Sequence, residues 1–208
     1  MASHRLSSEA QAKRDEVGID RYFCMNRAVF LDRDGVLNSN VWHQGTSAYE
    51  SPLVPEQFDL LPNVISALQL LMDSGYLLFV VSNQPNYAKR KASKEMLDAI
   101  HRRLETALAE AGIAMTAYYY CFHHPAFTGQ CVCRKPSPHF LFKARDTFDV
   151  DLERSWMIGD RATDIECGLA AGTRTVRIVG STTFHAGENV SATDLWSAVK
   201  LIVCDLGR

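Results

Sequence analysis

The order of elements along this 208-residue chain predicts an α/β fold, a doubly wound, Rossmann-like parallel sheet with helices on both faces. Three observations predict it. Short apolar runs alternate with stretches of helical periodicity. Polar and acidic residues gather where the apolar runs stop. Hydrophobic residues make up 47% of the chain, enough for one domain with a sizeable core.

Taken in order, Ala28–Asp32 reads as a short buried strand. A long polar loop, Ser39–Phe58, carries Asn40, Trp42, His43 and Tyr49. Asn63–Ser74 has amphipathic spacing, with Pro62 before it and Gly75 after it. Leu77–Ser82 is a second strand. Ser93–Ala111 is a longer helix: Met96, Leu97, Ile100, Leu104, Ala107 and Leu108 recur at helical spacing, and Gly112 stops it. Ala117–Cys121 is a third strand, and a helix over Ser137–Phe148 follows Pro136. Trp156–Gly159 is a fourth strand, Asp164–Ala171 a helix closed by Gly172, Thr175–Val179 a fifth strand and Thr193–Val203 a last helix. Gly180–Asn189 reads as a surface loop. Residues 1–26 read as a poorly ordered N-terminal extension, and 27–208 as a single domain.

The formal charge of −2 favours neither a nucleic-acid nor a membrane-surface partner. No apolar run approaches the roughly 20 residues of a membrane span. Met1–Arg21 is polar and lacks an apolar core, which points to a cytoplasmic protein. Nothing marks an interface, so a monomer or small homo-oligomer is expected. The six cysteines are uneven. Cys121, Cys131 and Cys133 crowd together and read as metal ligands, whereas Cys24, Cys167 and Cys204 read as small buried hydrophobes.

Four strand ends carry chemistry. The first delivers Asp32 and Asp34 onto a turn at Gly35; an ordinary Asp-Gly turn is the plain alternative. The second is Val81-Ser82-Asn83-Gln84, whose hydroxyl and amide can donate to a phosphoryl oxygen. The third is Cys133-Arg134-Lys135-Pro136, with Lys135 a cation at a helix start. The fourth, Met157-Ile158-Gly159-Asp160, ends in an acid, with Asp164 four residues on. In this order they resemble the four motifs of the haloacid-dehalogenase-like (HAD-like) phosphohydrolases, from about Ala28 to Val179.

That resemblance implies a nucleophile, Asp32, forming an aspartyl-phosphate, and an acid/base, Asp34. It implies Mg²⁺ on Asp32, Asp160 and the backbone carbonyl of Asp34, with Asp164 nearby. Ser82 and Lys135 would bind the phosphoryl group, supported by Asn83. The short gaps between motifs leave no room for a large cap domain, so specificity falls to the 39–58 loop and the cysteine loop.

Cys121-Phe122-His123 and Cys131-Val132-Cys133 make two chelating pairs that can close a tetrahedral thiolate–imidazole site over residues 121–133, leaving His124 spare. Ahead of Arg134-Lys135, this loop resembles the zinc-containing branch of the superfamily, which holds the heptose 1,7-bisphosphate phosphatases and the histidinol-phosphate phosphatases. The implied cofactors are catalytic Mg²⁺ and structural Zn²⁺. The substrate would be a small phosphate ester, a heptose bisphosphate first and histidinol phosphate second. Arg134 is the candidate grip for a distal phosphate or hydroxyl, since its fork suits bidentate oxygen contacts. Asp32-Arg33-Asp34-Gly35-Val36-Leu37-Asn38 and the His123-His124-Pro125 run look like the heptose enzymes. Gly159–Asp164 and the seven-residue spacing between His123 and Cys131 look more like the histidinol enzymes. A zinc-stabilised binding module on an inactive phosphatase fold is the different-class alternative; the intact acids argue against it.

Overall fold

A computed structural model describes residues 25–179 and 190–205. Eight strands are present among them: β1 (Arg27–Leu31), β2 (Val41–His43), β3 (Ala48–Glu50), β4 (Tyr76–Asn83), β5 (Ala117–Cys121), β6 (Trp156–Gly159), β7 (Arg174–Ile178) and β8 (Val190–Ala192). The helices are α1 (Val64–Asp73), α2 (Lys94–Glu110), the single-turn α3 (Pro125–Thr128), α4 (His139–Phe148), α5 (Ala162–Ala171) and α6 (Leu195–Asp205). The main sheet runs β5-β4-β1-β6-β7-β8 and is parallel throughout, and β2 and β3 form a separate antiparallel hairpin.

The centre of the sheet explains its sequence. Strands covered on both faces read as unbroken apolar runs. In β1, Val29 and Leu31 turn to one face and meet Leu78, Val80 and Ile158, beneath α1, α2 and α6. Ala28 and Phe30 turn to the other and meet Phe79, Val81 and Met157, beneath α4 and α5. On α2, Leu97, Ile100, Leu104 and Leu108 are buried at helical spacing, and the Ser93 hydroxyl caps the helix by accepting from the Met96 N–H.

The chain winds outward from β1 through β4 to β5, then returns to β6 on the other side of β1. That reversal opens a crevice at the carboxyl ends of the strands, where such sheets bind ligands. Leu31 pairs with Val80 on one side and Ile158 on the other, so Asp32 emerges between Val81 and Gly159, next to Ser82.

The parallel doubly wound sheet is as the sequence predicts, and among the described residues no large cap interrupts it. The hairpin β2–β3 and the edge strand β8 are additions, each three residues long and too short to show a periodicity. The last helix starts at Leu195, two residues later than expected, because Asp194 caps it by accepting from the Ser197 N–H at 2.7 Å. The 180–189 loop and most of the 1–26 extension lie outside the described residues, as does Cys24. Cys167 is buried as expected, but Cys204 is exposed: on α6, Val199 and Ile202 take the inward face, and Cys204 falls outside it.

Candidate active site and metal centres

Two strand ends, those of β1 and β6, build an acidic centre. Asp32 and Asp34 lie on the turn after β1, and Gly35 there has φ +86°. A Cβ on Gly35 would meet Asp160 Oδ2 at 2.4 Å, so only glycine lets this turn close against the β6 acid. Gly159 is equally tight, since a Cβ there would fall 2.1 Å from the Asp164 side chain. Asp164 itself is anchored where α5 begins, its Oδ2 accepting from the Arg161 N–H at 3.0 Å. The result brings carboxylate oxygens of Asp32, Asp160 and Asp164 within 4.8 Å of one another.

Lys135 is buried among them. Its Nζ lies 3.0 Å from Asp32 Oδ1 and 2.7 Å from Asp164 Oδ1, and it donates to the Val81 carbonyl at 2.6 Å. Burial alone would discharge such a lysine, but Asp164 and Asp32 overcome that and hold it protonated well above its ordinary range. The lysine is placed by Asn83, whose side chain accepts from the Lys135 N–H and donates to the Lys135 carbonyl, each at 3.1 Å.

Charge balance at the centre fits a divalent cation. Among the described residues, the four carboxylates of Asp32, Asp34, Asp160 and Asp164 face two buried cations, Arg33 and Lys135. Asp160 Oδ1 is buried without a hydrogen-bond donor, and the Arg161 guanidinium stands 3.9 Å away. Burial, with Asp32 and Asp164 beside it, pushes the Asp160 carboxyl up to about 7. Burial also raises Asp32, with Asp164 and Asp34 adding to it and Lys135 opposing. An all-oxygen set short of positive charge suits a hard ion such as Mg²⁺.

Asp34 is in a different state. Burial would raise its proton affinity, but Arg33, Gln84, Asn38 and Ser51 more than offset that and hold the carboxyl below its usual range. Arg33 donates through Nε at 3.1 Å and Nη2 at 3.0 Å, Asn38 at 3.0 Å and Gln84 at 2.6 Å. The sequence reading had no place for Arg33 or Gln84. Their only signals were an arginine between two acids and a glutamine directly after Ser82-Asn83.

Ser82 is buried behind Asp32, its hydroxyl accepting from Gln84 Nε2 at 3.1 Å and favouring the ionised Asp32 carboxylate. Asp32, Asp34, Asn83, Arg134, Lys135 and Asp164 line one cavity of about 380 Å³. Its rim adds Tyr49, Glu50 and Ser51 from the hairpin, Lys89 from the loop after β4, and Arg161. Of the 39–58 loop residues noted in the sequence, Tyr49 reaches this cavity; Asn40 lines a neighbouring one with Asp160.

The second cluster is Cys121, His123, Cys131 and Cys133. The three sulfurs stand 3.3–3.7 Å apart, and His123 Nδ1 lies 3.7 Å from Cys121 Sγ and 3.4 Å from Cys133 Sγ. A tetrahedron with metal–sulfur bonds of about 2.3 Å requires edges of about 3.7 Å, so the set fits a zinc-sized ion. Burial and the Cys133 thiol push Cys121 up to about 12. His124 stays outside, its Nδ1 accepting from the Ala126 N–H. The knuckle is tied to the acidic centre: the Gln84 N–H donates to the Cys121 carbonyl at 2.7 Å, and Arg134 donates to the His123 carbonyl at 3.2 Å.

A parallel sheet that ends in a paired-acid turn, a second acidic strand end and a buried lysine defines a phosphatase of the HAD-like class. Comparison with known proteins agrees. A family model described as "HAD-hyrolase-like" matches residues 132–193. The D-glycero-beta-D-manno-heptose-1,7-bisphosphate 7-phosphatase of Salmonella typhi is 33% identical over 186 residues, covering 83% of this chain and 95% of the relative. The enzyme of the same name from Vibrio cholerae is 34% identical over 157 residues, covering 73% and 80%. The crystal structure of D,D-heptose 1,7-bisphosphate phosphatase from B. bronchiseptica, complexed with magnesium and phosphate, shares the fold. Its TM-score is 0.73 at 24% identity, covering 86% of this chain and 99% of that one. The chain belongs to the HAD-like phosphatases, in the branch that holds these heptose bisphosphate phosphatases.

Proposed function

We propose that this chain is a Mg²⁺-dependent phosphomonoesterase acting on a sugar bisphosphate, with heptose 1,7-bisphosphate as its substrate. The convergence of Asp32, Asp34 and Lys135 on one cavity carries the reading, and the substrate rests on the similarity to enzymes named for it.

In the first half-reaction an Asp32 oxygen bonds phosphorus as the ester P–O bond breaks in line. The departing sugar oxygen takes a proton from Asp34, leaving an aspartyl-phosphate on Asp32. In the second, Asp34 takes a proton from the water that attacks phosphorus, which frees phosphate and restores both acids. At rest the Arg33 and Gln84 contacts favour ionised Asp34, so its first proton arrives with the substrate phosphate, whose second ionisation lies near about 6. Lys135 and the Ser82 hydroxyl, both against Asp32, are placed to hold phosphoryl oxygens. Asn83 keeps Lys135 in position, and Arg134 at the rim takes the distal phosphate.

Asp32, Asp160 and the Asp34 backbone carbonyl would hold Mg²⁺, which supplies the positive charge that lets a carboxylate approach a phosphate dianion. Cys121, His123, Cys131 and Cys133 would hold Zn²⁺ with no open position, so we assign it a structural role: it fixes the loop that carries Arg134 and Lys135.

The test is phosphate release with Mg²⁺ from heptose 1,7-bisphosphate, histidinol phosphate and hexose phosphates, with Asp32→Asn as control. A preference of roughly 100-fold for the heptose ester is expected. A preference for histidinol phosphate would replace the substrate, and no release sensitive to Asp32→Asn would remove the activity.

A further inference from the structure

The 39–58 segment does more than close the rim. Two-stranded hairpins are marginal alone, yet β2–β3 pairs with no other strand among the described residues. It is pinned at its base instead. Glu50 accepts from Lys91 Nζ at 2.7 and 3.0 Å, the His43 ring meets the Ser51 carbonyl at 3.3 Å, and Ser51 lines the same cavity as Asp34 and favours its ionised form. The hairpin is thereby fixed to the loop after β4 and set beside the candidate acid/base.

What it displays there is aromatic. Trp42 and Tyr49 are a cross-strand pair, their rings edge to face with centroids 5.3 Å apart. Trp42 is 51% exposed and Tyr49 67% exposed. Neighbouring large aromatics left in water at the mouth of a site mark a surface that expects a ligand. Tyr49 lines the cavity whose floor holds Asp32, and the rim also carries three cations, Lys89, Arg134 and Arg161, while its one acid, Glu50, is paired with Lys91. The two kinds of wall ask for two kinds of group. Cations take phosphate oxygens and hydroxyl-bearing edges. An aromatic face, electron-rich at its centre, repels phosphate but accepts the C–H face of a sugar ring.

We propose that Tyr49 is a specificity-determining residue, stacking on the C–H face of the sugar whose phosphate Asp32 receives. Trp42 is a positioning residue that holds the Tyr49 ring upright. The proposal rests on the phosphatase reading above and adds what that reading lacks, a contact that selects for a ring.

The experiment compares kcat/KM for heptose 1,7-bisphosphate and for acetyl phosphate, which has no ring, in the wild-type chain, Tyr49→Ala, Tyr49→Phe and Trp42→Ala. In Tyr49→Ala the loss on the sugar should exceed the loss on acetyl phosphate by roughly tenfold, mainly through KM. Tyr49→Phe, which keeps the ring face, should restore most of it, and Trp42→Ala should lie between. Equal losses on both substrates, or no loss on either, overturn the proposal, as does a phenylalanine variant no better than alanine. If the wild-type chain hydrolyses acetyl phosphate but no sugar phosphate, the substrate class falls and the platform with it. If it hydrolyses neither, the phosphatase reading fails first.

Discussion

The acidic centre and the cysteine knuckle both offer donor sets that fit a cation, and they are built in opposite ways. In the knuckle, four soft donors from one short loop already stand at the edges of a tetrahedron, with no fifth group competing. In the acidic centre, donors come from two distant segments, 32–34 and 160–164, and are entangled with Lys135 and Arg33. The carboxylates there repel one another, and Asp160 keeps an oxygen without a donor. A closed set contributes folding energy when filled. An open, frustrated set stores charge for a substrate. The difference teaches where stability and activity should separate when each site is broken.

The sharpest break is at Asp32. Asp32→Asn should lower phosphate release by about a thousandfold or more, because no nucleophile remains. The melting temperature of the metal-free protein should hold or rise, since one of several crowded carboxylates is gone. A large drop in stability would mean that the acidic centre is structural too, and the contrast would collapse.

Asp34→Asn should cost about 10²–10⁴-fold in kcat while leaving substrate binding largely intact. It should also destabilise the fold, because Arg33, 1% exposed, loses its buried counter-charge. Near-normal turnover in this variant would defeat the acid/base assignment.

In the knuckle the order of effects reverses. Cys131→Ser should lose the bound metal, measured by elemental analysis, and lower the melting temperature by on the order of 10 °C. Activity should fall less steeply and in step with displacement of Arg134 and Lys135. A variant with full metal, melting temperature and activity would remove the structural role.

The smallest effect is a linkage. Asp160 has its folded-state carboxyl raised to about 7 by burial and by Asp32 and Asp164. Between its unfolded value of about 3.9 and 7, the folded protein holds a proton that the unfolded chain has lost. Stability of the metal-free protein therefore declines as pH rises through that window. Mg²⁺ reverses the penalty by binding the ionised form. Its stabilising shift in melting temperature should thus be several degrees larger at pH 8 than at pH 5.5, and a pH indicator should show proton release on Mg²⁺ addition. A pH-independent shift would place the cation elsewhere.

Much of this was legible in the chain. The buried strands announced themselves as unbroken apolar runs, and Ala117–Cys121 and Trp156–Gly159 fall at the predicted residues. The four thiolate–imidazole ligands were legible because they sit within thirteen residues of one another, where spacing constrains geometry. The partners of Asp34 were not. Gln84 lies fifty residues away, and its approach depends on the register of β4 against β1. The hairpin was hidden for another reason: strands of three residues carry no period, and its neighbours, Lys91 and Asp34, belong to other segments.

The sequence by itself thus determined the local facts: which runs are apolar, where strands end in an acid or an amide, that a lysine follows the cysteine loop, and which four side chains can chelate. Those follow from patterns within a few residues, because strand alternation, helical period and ligand spacing are short-range. Only the tertiary structure decided how these ends converge: that Lys135 lies between Asp32 and Asp164, that the Asp34 carboxyl is pushed below its usual range while that of Asp160 is pushed above it, and that Tyr49 lines the cavity. Burial and the field of neighbouring charges set those states, and both are sums over residues that the fold, not the chain order, brings together.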